Sequence, residues 1–114
     1  MTTGELSYIS RTDTLRVSAT LKDAPIVSMD QRDKTMAVES AFLKYHDGAL
    51  SSVELRGSVI KKDGTPGARR GTKTYGQTYG SRPMDRTTIP DWLQPIITQI
   101  EQDDDAVRYL ESRR

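Results

Sequence analysis

No cysteine and a single histidine occur among the 114 residues, which excludes disulfides, thiol nucleophiles, cysteine-based zinc or iron–sulfur centres and multi-histidine metal cages from this sequence. Aromatic residues are few, with one Trp, one Phe and five Tyr. No apolar run approaches the roughly 20 residues of a membrane span, nor is there the apolar region of a signal peptide. The expected setting is therefore the cytoplasm, with no membrane partner. Phosphate-cradling motifs are missing as well: Gly67, Gly71, Gly76 and Gly80 fit neither G-x-x-x-x-G-K-[ST] nor G-x-G-x-x-G. Without a nucleophilic thiol or carboxylates paired at a defined spacing, the chain is expected not to be an enzyme, with no catalytic, cofactor-binding or metal-binding residues and no cofactor.

What is present describes one small α+β domain. Only 34% of residues are hydrophobic and 29% are charged, enough for a single core. The formal net charge of +1 hides opposed segments. Residues 1–55 sum to −2, residues 56–86 to +6 and residues 87–114 to −3. The middle block carries Arg56, Lys61, Lys62, Arg69, Arg70, Lys73, Arg82 and Arg86, and the acidic tail contains Asp103, Asp104 and Asp105.

Along the chain, residues 1–13 show no sustained period and are expected to be weakly ordered. Leu15, Val17, Ala19 and Leu21 alternate with polar residues, the pattern of a half-buried strand. A polar connection follows, in which Ile26 to Met29 offer a short edge strand. A second strand spans Thr35–His46 and runs into the Asp47-Gly48 turn, and a third spans Ser51–Lys62 and runs into Asp63-Gly64, so an antiparallel meander is expected with a fourth strand between Ala68 and Tyr79. Gly57 marks a bulge or a close approach within the third strand.

The sheet of three to five strands is expected to pack one face against a C-terminal helix. Trp92, Leu93, Ile96, Ile97 and Ile100 form its apolar stripe, with Trp92 at the centre of the core. Pro95 suits a short turn through Trp92 followed by a helix to about Gln102, because proline is harmless in a first helical turn. The single domain is thus drawn over residues 14–102. Residues 103–114 either continue that helix, form a second short one capped by the aspartates, or stay disordered.

Two surfaces stand out. Lys61, Lys62, Arg69, Arg70, Lys73 and Arg82, interleaved with Gly and with Tyr75 and Tyr79, have the composition of a phosphate-holding and base-stacking segment. The plainer reading is a solvated edge strand whose cations block aggregation. Asp103, Asp104 and Asp105 lack the spaced ligands and glycine of a calcium loop, and read as a solvated helix end or an acidic partner surface. His46 and Asp47 are neighbours that should face apart, at a turn.

From Tyr45 through Asp47-Gly48, Val53, Leu55 and Gly57, then Asp63-Gly64, Pro66 and Gly67, to Pro90, Asp91, Trp92 and Leu93, the chain resembles small uncharacterised proteins of actinobacteria and their phages. The resemblance spans residues 42 to 97 and implies a β-meander closed by a C-terminal helix, with no activity or site residues attached. Here the chain continues further past the Pro-Asp-Trp motif, in an acidic extension. Function is therefore expected to be interaction: a phage- or mobile-element-encoded accessory protein that binds a host or defence component, or itself as a homodimer. The alternative is nucleic-acid binding through residues 61–86, with the acidic run as an internal inhibitor.

Overall fold

The computed structural model describes residues 2–30, 34–76 and 82–113. Alternation of apolar and polar side chains organises six antiparallel strands: β1 (Thr2–Ser10), β2 (Thr14–Lys22), β3 (Ile26–Ser28), β4 (Thr35–His46), β5 (Ala49–Ile60) and β6 (Pro66–Gly76). The sheet order is β1-β2-β4-β5-β6, with β3 beside the start of β4. β2 pairs Ser40–His46 of β4 and β3 pairs Thr35–Ala37, so β2 and β3 share one edge of β4, interrupted where Asp23 takes a φ of 58°. This is the expected α+β meander, with six strands rather than three to five.

The added strand is β1. Residues 1–13 were expected to be weakly ordered, yet β1 pairs with β2 through Leu6↔Ala19, Tyr8↔Val17 and Ser10↔Leu15, which brings Leu6 and Tyr8 onto the core side. A strand with so little periodicity of its own is held by its neighbour. Between β4 and β5, Asp47 and Gly48 both have positive φ (49° and 85°), as a two-residue hairpin turn requires. The second Asp-Gly makes a longer loop: the Gly64 N–H bonds the Lys61 carbonyl at 2.9 Å, and the Lys61 N–H bonds the Thr65 carbonyl at 2.8 Å.

After β6 the chain passes through a 3-10 turn (Arg86–Thr88) into two helices, α1 (Gln94–Glu101) and α2 (Asp104–Ser112). Pro95 lies in the first turn of α1, where a missing N–H costs nothing. The extension forms the second helix: Asp103 caps α2, and Asp104 and Asp105 occupy its first turn, where their charge suits the helix dipole. Leu93, Ile97 and Ile100 share one buried cluster with Leu15, Val17, Leu43, Tyr45, Val53 and Leu55 on the inner face of the sheet. Trp92 is not the centre of that core. It precedes α1 and is only half-buried, while Leu93 takes the fully buried position.

At the other end of the inner face no helix is needed, because the turn after β3 covers it. Gly57 and Gly71 are cross-strand partners, and the Met29 side chain lies over Gly71 beside Met36. The adjoining Asp30 reaches the outer edge of β6. Its N–H bonds the Thr72 carbonyl at 3.0 Å, and its carboxylate accepts the Thr74 N–H at 3.1 Å. Asp30→Ala is expected to cost about 1 kcal/mol and to speed amide exchange at Thr74, measured by hydrogen exchange. An unchanged Thr74 rate would mean that this carboxylate does not protect the edge.

Candidate functional site

The β5–β6 hairpin extends beyond the helix-covered part of the sheet, and Lys61 through Pro66 are all exposed. Its geometry starts from the turn. Asp63 accepts hydrogen bonds from the Thr65 hydroxyl at 2.6 Å and the Thr65 N–H at 3.0 Å, which hold its carboxyl below the usual carboxylate range. Beneath the turn, an open cleft of about 340 Å³ has Val59 and Ile60 on its floor and Lys34, Lys61, Lys62 and Arg69 around it. Gly67 makes the cleft narrow, since a Cβ there would come within 2.9 Å of the Lys61 side chain. Lys61 is 3.9 Å from Asp63, whereas Lys34, Lys62 and Arg69 have no ion pair among the described residues.

The remaining members of the basic block go elsewhere. Arg70 is bound to Glu39 at 2.7 Å and lies 3.3 Å from the Ser58 hydroxyl, which itself donates to Glu39. These bonds, Ser58 first and Arg70 second, keep the Glu39 carboxyl below its ordinary range. Lys73 is on the inner side of β6, opposite Leu55, where it sits 3.9 Å from Asp30 and 5.7 Å from the Tyr75 ring centre. Tyr75 packs half-buried against the core, and burial pushes its hydroxyl up. Tyr79 falls outside the described residues, so the expected pairing of Tyr75 with Tyr79 has no described geometry. Arg82 lies in a separate hollow with Ser51 and Met84. Ser51 and Lys61 are ten positions apart along β5 and its end, roughly 30 Å at strand spacing.

Lys34 was not among the sequence candidates. It reaches the cleft from the start of β4 because β3 and β4 fold as a hairpin beside β5, a placement no local pattern announces. Arg56, on the outer face, lies 4.1 Å over the Phe42 ring and is bound to Glu54 at 2.5 Å.

The acidic run belongs to the opposite end. Asp103 accepts the Tyr8 hydroxyl at 2.6 Å, while Asp104 and Asp105 are exposed. Beyond them, α2 is fastened to the β4–β5 turn. The Tyr109 hydroxyl donates to the Asp13 carbonyl at 2.7 Å and accepts the Gly48 N–H at 3.1 Å, and Arg113 lies 3.2 Å from Asp47. The 12 residues of β5 separate that turn from the hairpin tip, roughly 36 Å along a molecule 49 Å in its longest dimension. Folded this way, the acidic run does not mask the basic cleft.

His46 sits between two carboxylates, 3.5 Å from Asp47 and 3.7 Å from Asp13. The left-handed turn swings Asp47 back towards His46, contrary to the expectation that adjacent residues face apart. Among the described residues no helix is long and apolar enough to cross a membrane, and no three His, Asp or Glu side chains converge as a metal site requires. Comparison of the chain with family models, with curated proteins and with solved structures finds no match.

Proposed function

We propose that this protein is a non-catalytic binding module that holds nucleic acid through the β5–β6 hairpin, with phosphates seated against Lys34, Lys61, Lys62 and Arg69. The observation that carries this reading is the collection of four cations around one cleft at the exposed end of the sheet, where the β5–β6 turn passes beyond the start of β4, three of them without an anionic partner among the described residues. Unpaired cations around an exposed cleft gain from displacing the counterions of the phosphate backbone. The sequence by itself favours a protein partner. Support for nucleic acid grows because the acidic run lies at the far end of the molecule and leaves the cleft open.

The test is fluorescence anisotropy with a labelled short duplex and a labelled single strand. About four phosphate contacts correspond to a loss of roughly a hundredfold in affinity between about 50 and 200 mM salt. Replacing Lys34, Lys61, Lys62 and Arg69 by Gln should abolish binding at the higher salt and flatten the salt dependence. Arg82→Gln, outside the cleft, should leave both unchanged. Absence of binding at low salt, or a salt slope that survives the fourfold replacement, rules the reading out. Polyglutamate binding as tight as duplex binding would point instead to an acidic protein partner.

A further inference from the structure

The opposite edge of the sheet carries a second site, independent of the hairpin. The Arg11 N–H bonds the Thr14 carbonyl at 2.8 Å, and β1 and β2 stay in step from Ser10 to Leu6. Antiparallel ladders alternate, so Ile9 and Ser7 bond across to Arg16 and Ser18, while the backbone N–H and C=O groups of Leu6, Tyr8 and Ser10 point away from β2. Among the described residues no backbone group pairs with that outer edge. The usual protections of an edge are few from Leu6 onward: β1 has no proline, its one charged residue, Glu5, and its one bulge both lie before Leu6, and Ile9 is 55% exposed. Under the edge, between β1 and α2, an open groove of about 550 Å³ is lined by Leu6, Tyr8, Leu15 and Tyr109 on the strand side and core, with the charged Asp105 and Arg108 of α2 on its far wall.

We propose that a second copy of this chain pairs with the edge, β1 against β1, antiparallel about a two-fold axis with Ser7 opposite the partner's Ser7. In that register Leu6 faces the partner's Tyr8 on the inner side, so apolar side chains meet over the groove and its reciprocal copy. The exchanged backbone bonds come from residues whose polar groups already point outwards. Glu5 lies in the β1 bulge between Thr3 and Leu6, at the end of the paired stretch and away from the partner's Glu5, so no like charges are opposed. A register centred one residue later would instead set Leu6 against the partner's Ser10. The contact is isologous and joins two sheets into one, leaving each β6 edge and each basic hairpin outside the interface.

The absence of cysteine makes the test direct. Ser7 opposes its copy in a pair that is not hydrogen-bonded, with Cα atoms about 4.5 Å apart, inside the range that a disulfide spans. Light scattering of the full chain should give a dimer. Ser7→Cys should form a covalent dimer on mild oxidation, and Thr20→Cys, exposed on β2, should not. Ser7→Lys and Ser7→Glu, at an exposed position, should each be monomeric, with an unfolding midpoint that no longer depends on protein concentration, and mixing them should restore the dimer. A monomeric wild-type chain at high concentration overturns the proposal, as does a dimer in which Ser7→Cys stays reduced under oxidation. Neither result bears on nucleic-acid binding by the hairpin.

Discussion

Gly57→Ala is expected to destabilise the fold by about 3 kcal/mol or more, lowering the unfolding midpoint by roughly 10 °C, the largest effect of any single methyl addition in the sheet. The reason is space rather than conformation. A Cβ on Gly57 would lie 1.9 Å from the Ala37 carbonyl oxygen, 2.8 Å from its carbon and 3.0 Å from the Val38 Cα, all of them backbone atoms. They sit there because β4 bulges between Val38 and Ser40, opposite this glycine. No rotamer change relieves such a contact; the bulge itself must move, and with it Glu39 and its bonds to Ser58 and Arg70. Gly71→Ala is the matched control. Its Cβ would meet the Met29 Cε at 2.7 Å and Sδ at 2.9 Å, the far end of a flexible side chain that can turn aside. Thermal unfolding of the two variants side by side should separate them clearly, and equal, mild shifts would show that the bulge yields without cost.

Local patterns were enough to place most of the sheet. Strand boundaries at Thr35 and His46 follow from a β-rich run ended by Asp47-Gly48, and the placement of Pro95 in a first helical turn follows from its missing N–H. What local patterns miss are relations across the chain. Tyr8 gains its place from β2 and from Asp103, 95 positions away, so β1 has no signature of its own. Charge counted by segment misleads for the same reason. Arg86 belongs to the basic block by position but is held by Glu101 from the acidic tail, while Arg70 finds Glu39 and Lys73 finds Asp30 from the first half of the chain. Once these pairs are drawn, the basic character contracts from a long segment to the cleft at the hairpin, and Lys34 enters it from β4. Trp92 shows a different limit. Its size argued for the centre of the core, but the turn before α1 gives that place to Leu93 and leaves the indole at the margin.

The same cross-chain pairing makes Glu101 the residue whose loss should be felt next most strongly. Its carboxylate accepts the hydroxyl of the fully buried Tyr45 at 3.0 Å and grips the Arg86 guanidinium with both oxygens, one contact at 2.9 Å, tying β4 to the 3-10 turn and to the end of α1. Glu101→Ala strands a buried hydroxyl and frees the exposed Arg86 guanidinium, and is expected to cost about 2 kcal/mol in denaturant unfolding, most of it from the hydroxyl. Tyr45→Phe removes only the hydroxyl and should cost about 1–2 kcal/mol, and less than that in the Glu101→Ala background, because the two losses share one bond. Burial first, then the Glu101 charge and hydrogen bond, push the Tyr45 hydroxyl far above the ordinary tyrosine range, and burial with Asp103 does the same for Tyr8. Both folded tyrosines therefore keep their protons where an unfolded chain, titrating near pH 10, gives them up. Stability from this source is complete below about pH 10 and falls above it, at about 1.4 kcal/mol per pH unit for Tyr45 alone. Unfolding followed from pH 8 to pH 11 should show that decline in the wild type and a shallower one in Tyr45→Phe, with the part of the tyrosinate absorbance that Tyr45→Phe removes appearing only as the chain unfolds. Ionisation of all five tyrosines before unfolding would mean that the Tyr45–Glu101 contact is open to solvent and that this network does not lock the helices to the sheet.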